Sequence, residues 1–224
     1  MKVKDIVKPY CKTAEIIHYT RDLNDNIFNT ICNTNQSFVM KSNHGSNMNV
    51  IIHNGIMVYT KQRVTPRMLR SYARKWLKIK FHECYHEMQY RKITPYIIFE
   101  KYLGRIMEFK ILCFYGKAKL IVTSERIGDF HKPKVRQTMY RPDWTFLNIP
   151  YTPKRFNPLI RSKPSYLNKI LEIAEQLSES YDHVRIDLGV TEDEDIYFGE
   201  FTFTPRAGAI HLLELEPEIS EYWI

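Results

Sequence analysis

Three features of this 224-residue chain predict an α+β fold. Short apolar strands recur and mostly join as hairpins, two longer segments carry helical periodicity, and no repeat or Pro/Gly/Ser linker divides them. Strands are predicted over residues 37–41, 50–52 and 56–59, the last two joined by Asn54-Gly55, a pair that accepts positive φ in a tight hairpin. Thr65-Pro66 then supplies an N-cap and a first-turn proline. Leu69, Tyr72, Ala73, Trp76 and Leu77 follow on one helical face. Further strands are predicted at 96–100, 109–115 and 118–123, with Gly116 at a turn, and residues 125–160 read as a long irregular connection. An amphipathic helix over 162–180 and a closing hairpin, 184–190 and 196–203, complete the pattern.

Apolar residues make up 44% and aromatics 13%, enough for a core without metals or disulfides. Cys11, Cys32, Cys84 and Cys113 form no C-x-x-C pair and read as free thiols in a reducing compartment. Residues 1–9 hold no signal-peptide core and no apolar run reaches membrane-spanning length, so a cytoplasmic protein without a transmembrane segment is expected. The net charge of +8 favours anionic partners: nucleotides, acidic polysaccharides, nucleic acid or anionic lipid. The basic residues are dispersed, which is equally the pattern of a solvated surface.

Three constellations carry chemistry. In the closing hairpin, Arg185 and Asp187 share a face of one strand, as do Glu200 and Thr202 of the other. Pairing through the 191–195 turn would bring Asp187 and Glu200 together, where they repel unless a cation or guanidinium lies between them. Hard oxygen ligands of this kind hold Mg²⁺ against phosphates, and a structural Arg–Asp pair is the other reading. Second, the strand Phe38-Val39-Met40-Lys41 runs into the polar loop Ser42-Asn43-His44-Gly45-Ser46-Asn47, whose backbone N–H groups and lysine could receive phosphate. It is not a P-loop. Third, Ile97-Ile98-Phe99-Glu100-Lys101-Tyr102-Leu103 ends an apolar strand in a segment able to meet an adenine edge and ribose.

In this order the pieces resemble the ATP-grasp superfamily, and more closely its TupA-like branch, associated with cell-surface polysaccharide (capsule) assembly. The resemblance runs from Phe38 to Pro205 through FVMKSNHGS (38–46), IIFEKYL (97–103), MEFKILCFYGKAKLI (107–121), VRIDLGV (184–190) and YFGEFTFTP (197–205). It implies one ATP-grasp-like domain with two lobes, about 1–95 and 96–224, whose antiparallel sheets clasp ATP. Lys41 would contact phosphates beneath a mobile flap of Asn43, His44, Gly45 and Ser46. Glu100 with the backbone of Tyr102 and Leu103 would hold adenine and ribose. Asp187 and Glu200 would bind Mg²⁺, completed by Thr202, where many relatives carry asparagine. Lys110, Arg126, Arg185 and Arg206 are the candidates for the acyl phosphate and acidic substrate.

The implied activity is an ATP- and Mg²⁺-dependent carboxylate–amine ligase, joining an amino acid or amine to an acidic sugar through an acyl phosphate. No separate N-terminal substrate domain is apparent ahead of the first motif. Asp187→Asn and Glu200→Gln are each expected to abolish turnover with the fold intact. Two other classes stand beside this one. His82-Glu83-Cys84-Tyr85-His86 satisfies H-E-x-x-H, a zinc-peptidase signature lacking an evident third ligand. Scattered basic and aromatic residues could make a non-catalytic binder of acidic glycan or nucleic acid, though without a nucleic-acid recognition motif none is expected.

Overall fold

The computed structural model describes residues 2–85, 87–127, 134–205 and 215–223, which divide into two compact units. One is built on Ala14–Leu103, the other on the first 13 residues together with those from Gly104 onward. The division falls after Leu103, beyond the boundary near residue 95 drawn from the sequence, because the strand after Pro95 pairs inside the first unit. The chain opens with α1 (Lys2–Val7) and β1 (Lys12–Thr13), for which the sequence offered no pattern. Strand β1 pairs in parallel with Tyr197 and Phe198 near the chain's other end.

The Ala14–Leu103 unit is an antiparallel sheet of β2 (Ile16–Thr20), β3 (Phe38–Ser42), β4 (Asn49–His53), β5 (Ile56–Met57) and β6 (Ile97–Lys101), ordered β2-β6-β3-β4-β5. Asn54 and Gly55 take φ of 49° and 73°, so the β4–β5 turn is the tight one their sequence predicts. Helices α2 (Ile27–Asn33), α3 (Pro66–Leu77) and the short α4 (Phe81–Tyr85) belong to the same unit. Helix α3 starts where expected, since the Thr65 side chain accepts a hydrogen bond from the Met68 N–H. Alternation along the strands sends Phe38, Met40, Ile97 and Phe99 into a core with Leu69 and Trp76. Burying each such side chain contributes about 1.5–3 kcal/mol. Val39, Lys41, Ile98 and Glu100 are thereby left on the other face.

The second unit is a seven-stranded sheet: β7 (Met107–Phe114), β8 (Lys117–Ile127), β9 (Lys134–Tyr140), β10 (Phe146–Leu147), β11 (His183–Val190) and β12 (Ile196–Thr202) join β1 in the order β1-β12-β11-β7-β8-β9-β10. Helix α5 (Leu167–Ser178) covers one face through Leu167, Ile170, Ile173 and Ala174. The opposite face packs Leu112, Phe114 and Leu120 with Ile219 and Tyr222 of and after α6 (Glu216–Glu221).

Two expectations are corrected here. Residues 125–160 are not wholly irregular, since β8 runs on to Ile127 and β9 and β10 follow. Gln137, Thr138, Met139 and Tyr140 are all buried, so polar residues sit on covered faces and erase the alternation a strand would show. Helix α5 starts at Leu167, not Ser162, because Pro164 biases its predecessor to extended backbone and forms a turn with Leu167. All four cysteines are free thiols, and burial pushes Cys113 up to about 12. Among the described residues, no helix is long and apolar enough to cross a membrane.

Candidate functional site

Strand β11 turns Val184, Ile186 and Leu188 toward α5, so Arg185 and Asp187 face the other way. Register then builds the site across three strands: Asp187 lies opposite Glu200 of β12 on one side and Lys110 of β7 on the other, and Arg185 lies opposite Thr202. A bulge between Asp187 and Leu188 leaves Gly199 as the extra residue on β12. A Cβ on Gly199 would sit 3.0 Å from the Asp187 carbonyl oxygen, so glycine permits the close approach that aligns the carboxylates.

The charges interlock. Arg185 grips Asp187 with two bonds, Nε to Oδ1 at 2.5 Å and Nη2 to Oδ2 at 2.8 Å. Nη2 also donates to Thr202 Oγ1 at 3.0 Å and reaches Glu200 Oε1 at 3.4 Å. Thr202 in turn donates to Glu200 at 3.3 Å. Lys110 Nζ meets Asp187 Oδ2 at 2.7 Å and Glu108 at 3.5 Å, and Arg126 caps Glu108 at 3.0 Å. Burial works to lower Lys110, but Asp187 and Glu108 outweigh it and hold the ammonium above its ordinary range. Burial likewise opposes the Arg185 charge, and Asp187 more than restores it. Glu200 is raised, first by desolvation and then by the Asp187 charge; with 59% of its side chain open to solvent, the desolvation part is small in energy.

The structure thus brings Arg185, Asp187, Glu200, Thr202 and Lys110 together, with Arg126 one carboxylate away. Arg206 lies outside the described residues. One further member, Tyr151, went unnoticed, and Glu108 joins the cluster as the acidic residue two before Lys110. Glu108 bridges Lys110 and Arg126, and Tyr151 accepts a bond from Arg185 Nη1 at 3.2 Å out of the stretch that showed no periodicity. Two carboxylates and a hydroxyl on neighbouring strands match the hard oxygen ligands Mg²⁺ takes. Among the described residues no group of three or more His, Cys, Asp or Glu could hold a metal ion, so water or phosphate oxygens would have to complete the shell.

In the Ala14–Leu103 unit, Lys41 and Glu100 project from β3 and β6 on the face away from the core and pair at 2.7 Å. Val39 and Ile98 lie on the same face, an apolar platform the alternation of the strands could have disclosed. Tyr102 and Leu103 follow β6, with the Tyr102 N–H donating to the Ser37 carbonyl at 3.4 Å. The loop after β3 is pinned to its own unit. The Asn43 side chain donates to the Thr94 carbonyl at 2.9 Å and accepts from the Tyr96 N–H at 2.8 Å. His44 is 3% exposed, its Nδ1 2.5 Å from Ser42 Oγ and its Nε2 donating to the Ile79 carbonyl at 3.1 Å. A side chain at Gly45 would strike Phe81 and Met48 at 2.4 Å. The His44 side chain is therefore buried within the unit, the half-buried Asn43 side chain is bonded to the 94–96 backbone, and Ser46 is exposed.

Burial pushes His44 below its ordinary 6.5 against the backbone carbonyls of Ile79 and Trp76. The unfolded chain then takes up a proton before the folded one does, so stability is full above pH 6.5 and declines as pH falls below it. His183 is lowered by burial in the same sense. His44→Gln is expected to shallow the acid-side fall in melting temperature, which a pH series of thermal melts measures.

The H-E-x-x-H signature finds little support. Glu83 is exposed and pairs with Lys80 at 3.0 Å, and His86 lies outside the described residues.

A search of curated protein sequences finds no match. Among solved structures, D-alanine–D-alanine ligase from Bacillus anthracis complexed with ATP aligns at 14% identity over 99% of this chain and 61% of its own, with a TM-score of 0.51. The ADP complex of purK, an N5-carboxyaminoimidazole ribonucleotide synthetase, aligns at 13% identity over 91% of this chain and 44% of its own, with a TM-score of 0.52. This chain thus spans under two thirds of either structure, and at such identities the likeness is one of fold. A family model for TupA-like ATP-grasp proteins matches residues 2–216. The hairpin carrying Asp187 and Glu200, the strands carrying Lys41 and Glu100, and that match agree: the chain belongs to the TupA-like ATP-grasp family.

Proposed function

We propose that this protein is an ATP- and Mg²⁺-dependent ligase that joins a carboxylate to an amine. The observation that carries the reading is the cross-strand set of Asp187, Glu200 and Thr202, gathered on one sheet face with Arg185 and Lys110 beside it. Asp187, Glu200 and Thr202 would hold the cation, which when bound neutralises phosphate charge. The remaining work falls to the chain's own groups. Lys41 binds phosphate, and Glu100 with the Val39–Ile98 platform receives the nucleoside. Arg185 and Lys110 stabilise negative charge as a substrate carboxylate oxygen attacks the γ-phosphorus and ADP departs. The amine then attacks the acyl phosphate carbon, inorganic phosphate leaves, and the amine's proton passes to solvent. Positioning and charge stabilisation suffice, with no covalent enzyme intermediate.

The finer reading is that the carboxylate belongs to a sugar acid of a surface-polysaccharide precursor and the amine to an amino acid. The net charge of +8 favours such an acidic substrate, in line with the polysaccharide association that the sequence resemblance implies. Thermal melting with an ATP analogue and Mg²⁺, separately and together, tests the nucleotide and metal assignment.

A further inference from the structure

Each of the three side chains assigned to the cation is a partner of the same guanidinium. Arg185 bonds both oxygens of Asp187, the Thr202 hydroxyl at 3.0 Å and Glu200 at 3.4 Å. The Arg185 side chain is only 10% exposed and Nη1 donates to the Tyr151 hydroxyl at 3.2 Å, so the guanidinium is tied into the site. Lys110 occupies Asp187 Oδ2 as well. Among the described residues, the three carboxylates Glu108, Asp187 and Glu200 meet the three cations Arg126, Lys110 and Arg185, so these six side chains balance in charge.

We infer that Arg185 is a specificity-determining residue that makes this site refuse a bare divalent cation and accept one only together with an anionic phosphate chain; this rests on the ligase reading above. A lone dication approaching Asp187 and Glu200 meets a guanidinium and an ammonium already bonded there, and gains little in a cluster already neutral. A dication on a triphosphate brings net negative charge, and its oxygens offer the guanidinium a planar, bidentate replacement for the carboxylate it releases. Arg185 thus keeps Asp187, Glu200 and Thr202 in register until nucleotide arrives. It also couples metal to nucleotide, each raising the other's affinity by the same factor. A lysine could not do this with the same geometry, since a point charge cannot span three partners in one plane.

The test titrates Mn²⁺ alone, and Mn²⁺ with a nonhydrolysable ATP analogue, by calorimetry on the wild type, Arg185→Met and Arg185→Lys. Mn²⁺ alone should bind Arg185→Met at least about tenfold more tightly than wild type. The analogue should then enhance Mn²⁺ binding less in that variant than in the wild type. Arg185→Lys, which keeps the charge and loses the fork, should fall between the two and serves if Arg185→Met does not fold. Adding Asp187→Asn to Arg185→Met should remove the gain. Wild type taking up Mn²⁺ with the analogue, but with neither variant any tighter for Mn²⁺ alone, overturns the selector role and leaves the ligase reading standing. No Mn²⁺ uptake by wild type even with the analogue overturns the metal assignment itself.

Discussion

Asp187→Asn is expected to abolish turnover and also to cost about 3–5 kcal/mol of folding stability, the range for removing one partner of a buried ion pair. The carboxylate is the shared counter-charge of Arg185 and Lys110, both largely buried. An amide there carries no charge and turns an N–H₂ toward donors that also carry hydrogens. Glu200→Gln should behave differently. Its side chain is mostly exposed and meets Arg185 only at 3.4 Å, so stability should change by about 0.5 kcal/mol or less while turnover is lost. The sequence alone leads one to expect an intact fold in both variants; burial of the Arg185–Asp187–Lys110 triad leads one to expect a destabilised fold in Asp187→Asn. Urea unfolding alongside an ATP-turnover assay separates the cases. An Asp187→Asn protein as stable as wild type would contradict the electrostatic account of the triad.

Lys41→Met should weaken nucleotide binding by about ten- to hundredfold, the equivalent of a charge-assisted hydrogen bond of about 1.5–3 kcal/mol. The substitution keeps most of the apolar stem and removes the ammonium. It also takes its ion-pair partner from Glu100, whose side chain is 6% exposed, so some stability is lost as well. Glu100→Gln should be gentler on the fold, since Lys41, 35% exposed, can turn to water. Calorimetric titration of an ATP analogue into both variants measures the difference. Unchanged affinity in Lys41→Met would remove that lysine from the phosphate site.

What could be read in the sequence followed local rules. Asn54-Gly55, Thr65-Pro66 and the apolar alternation of 184–190 each specify conformation through near neighbours, and all three placed their elements correctly. The carboxylate pair was legible because a hairpin's register follows from its turn, and the register puts Asp187 opposite Glu200. What escaped depends on tertiary burial. Strand β9 hides its periodicity because Gln137 and Thr138 are covered on both faces. Tyr151 reaches Arg185 from a segment with no pattern of its own. His44 looked like a ligand group in a polar loop, and only the packing against the carbonyl of Ile79 shows it turned inward.

On the proposed function, the chain binds nucleotide and divalent cation together, through the Asp187 hairpin. Thermal melting with an ATP analogue plus Mg²⁺, analogue alone, Mg²⁺ alone and Zn²⁺ alone tests it most directly, since a ligand that binds only the folded state raises the melting temperature by mass action. A clear rise is expected with analogue and Mg²⁺ together, little with either alone, and none in Glu200→Gln. No response to nucleotide under any condition, with a Zn²⁺ shift that His82→Ala removes, would contradict it.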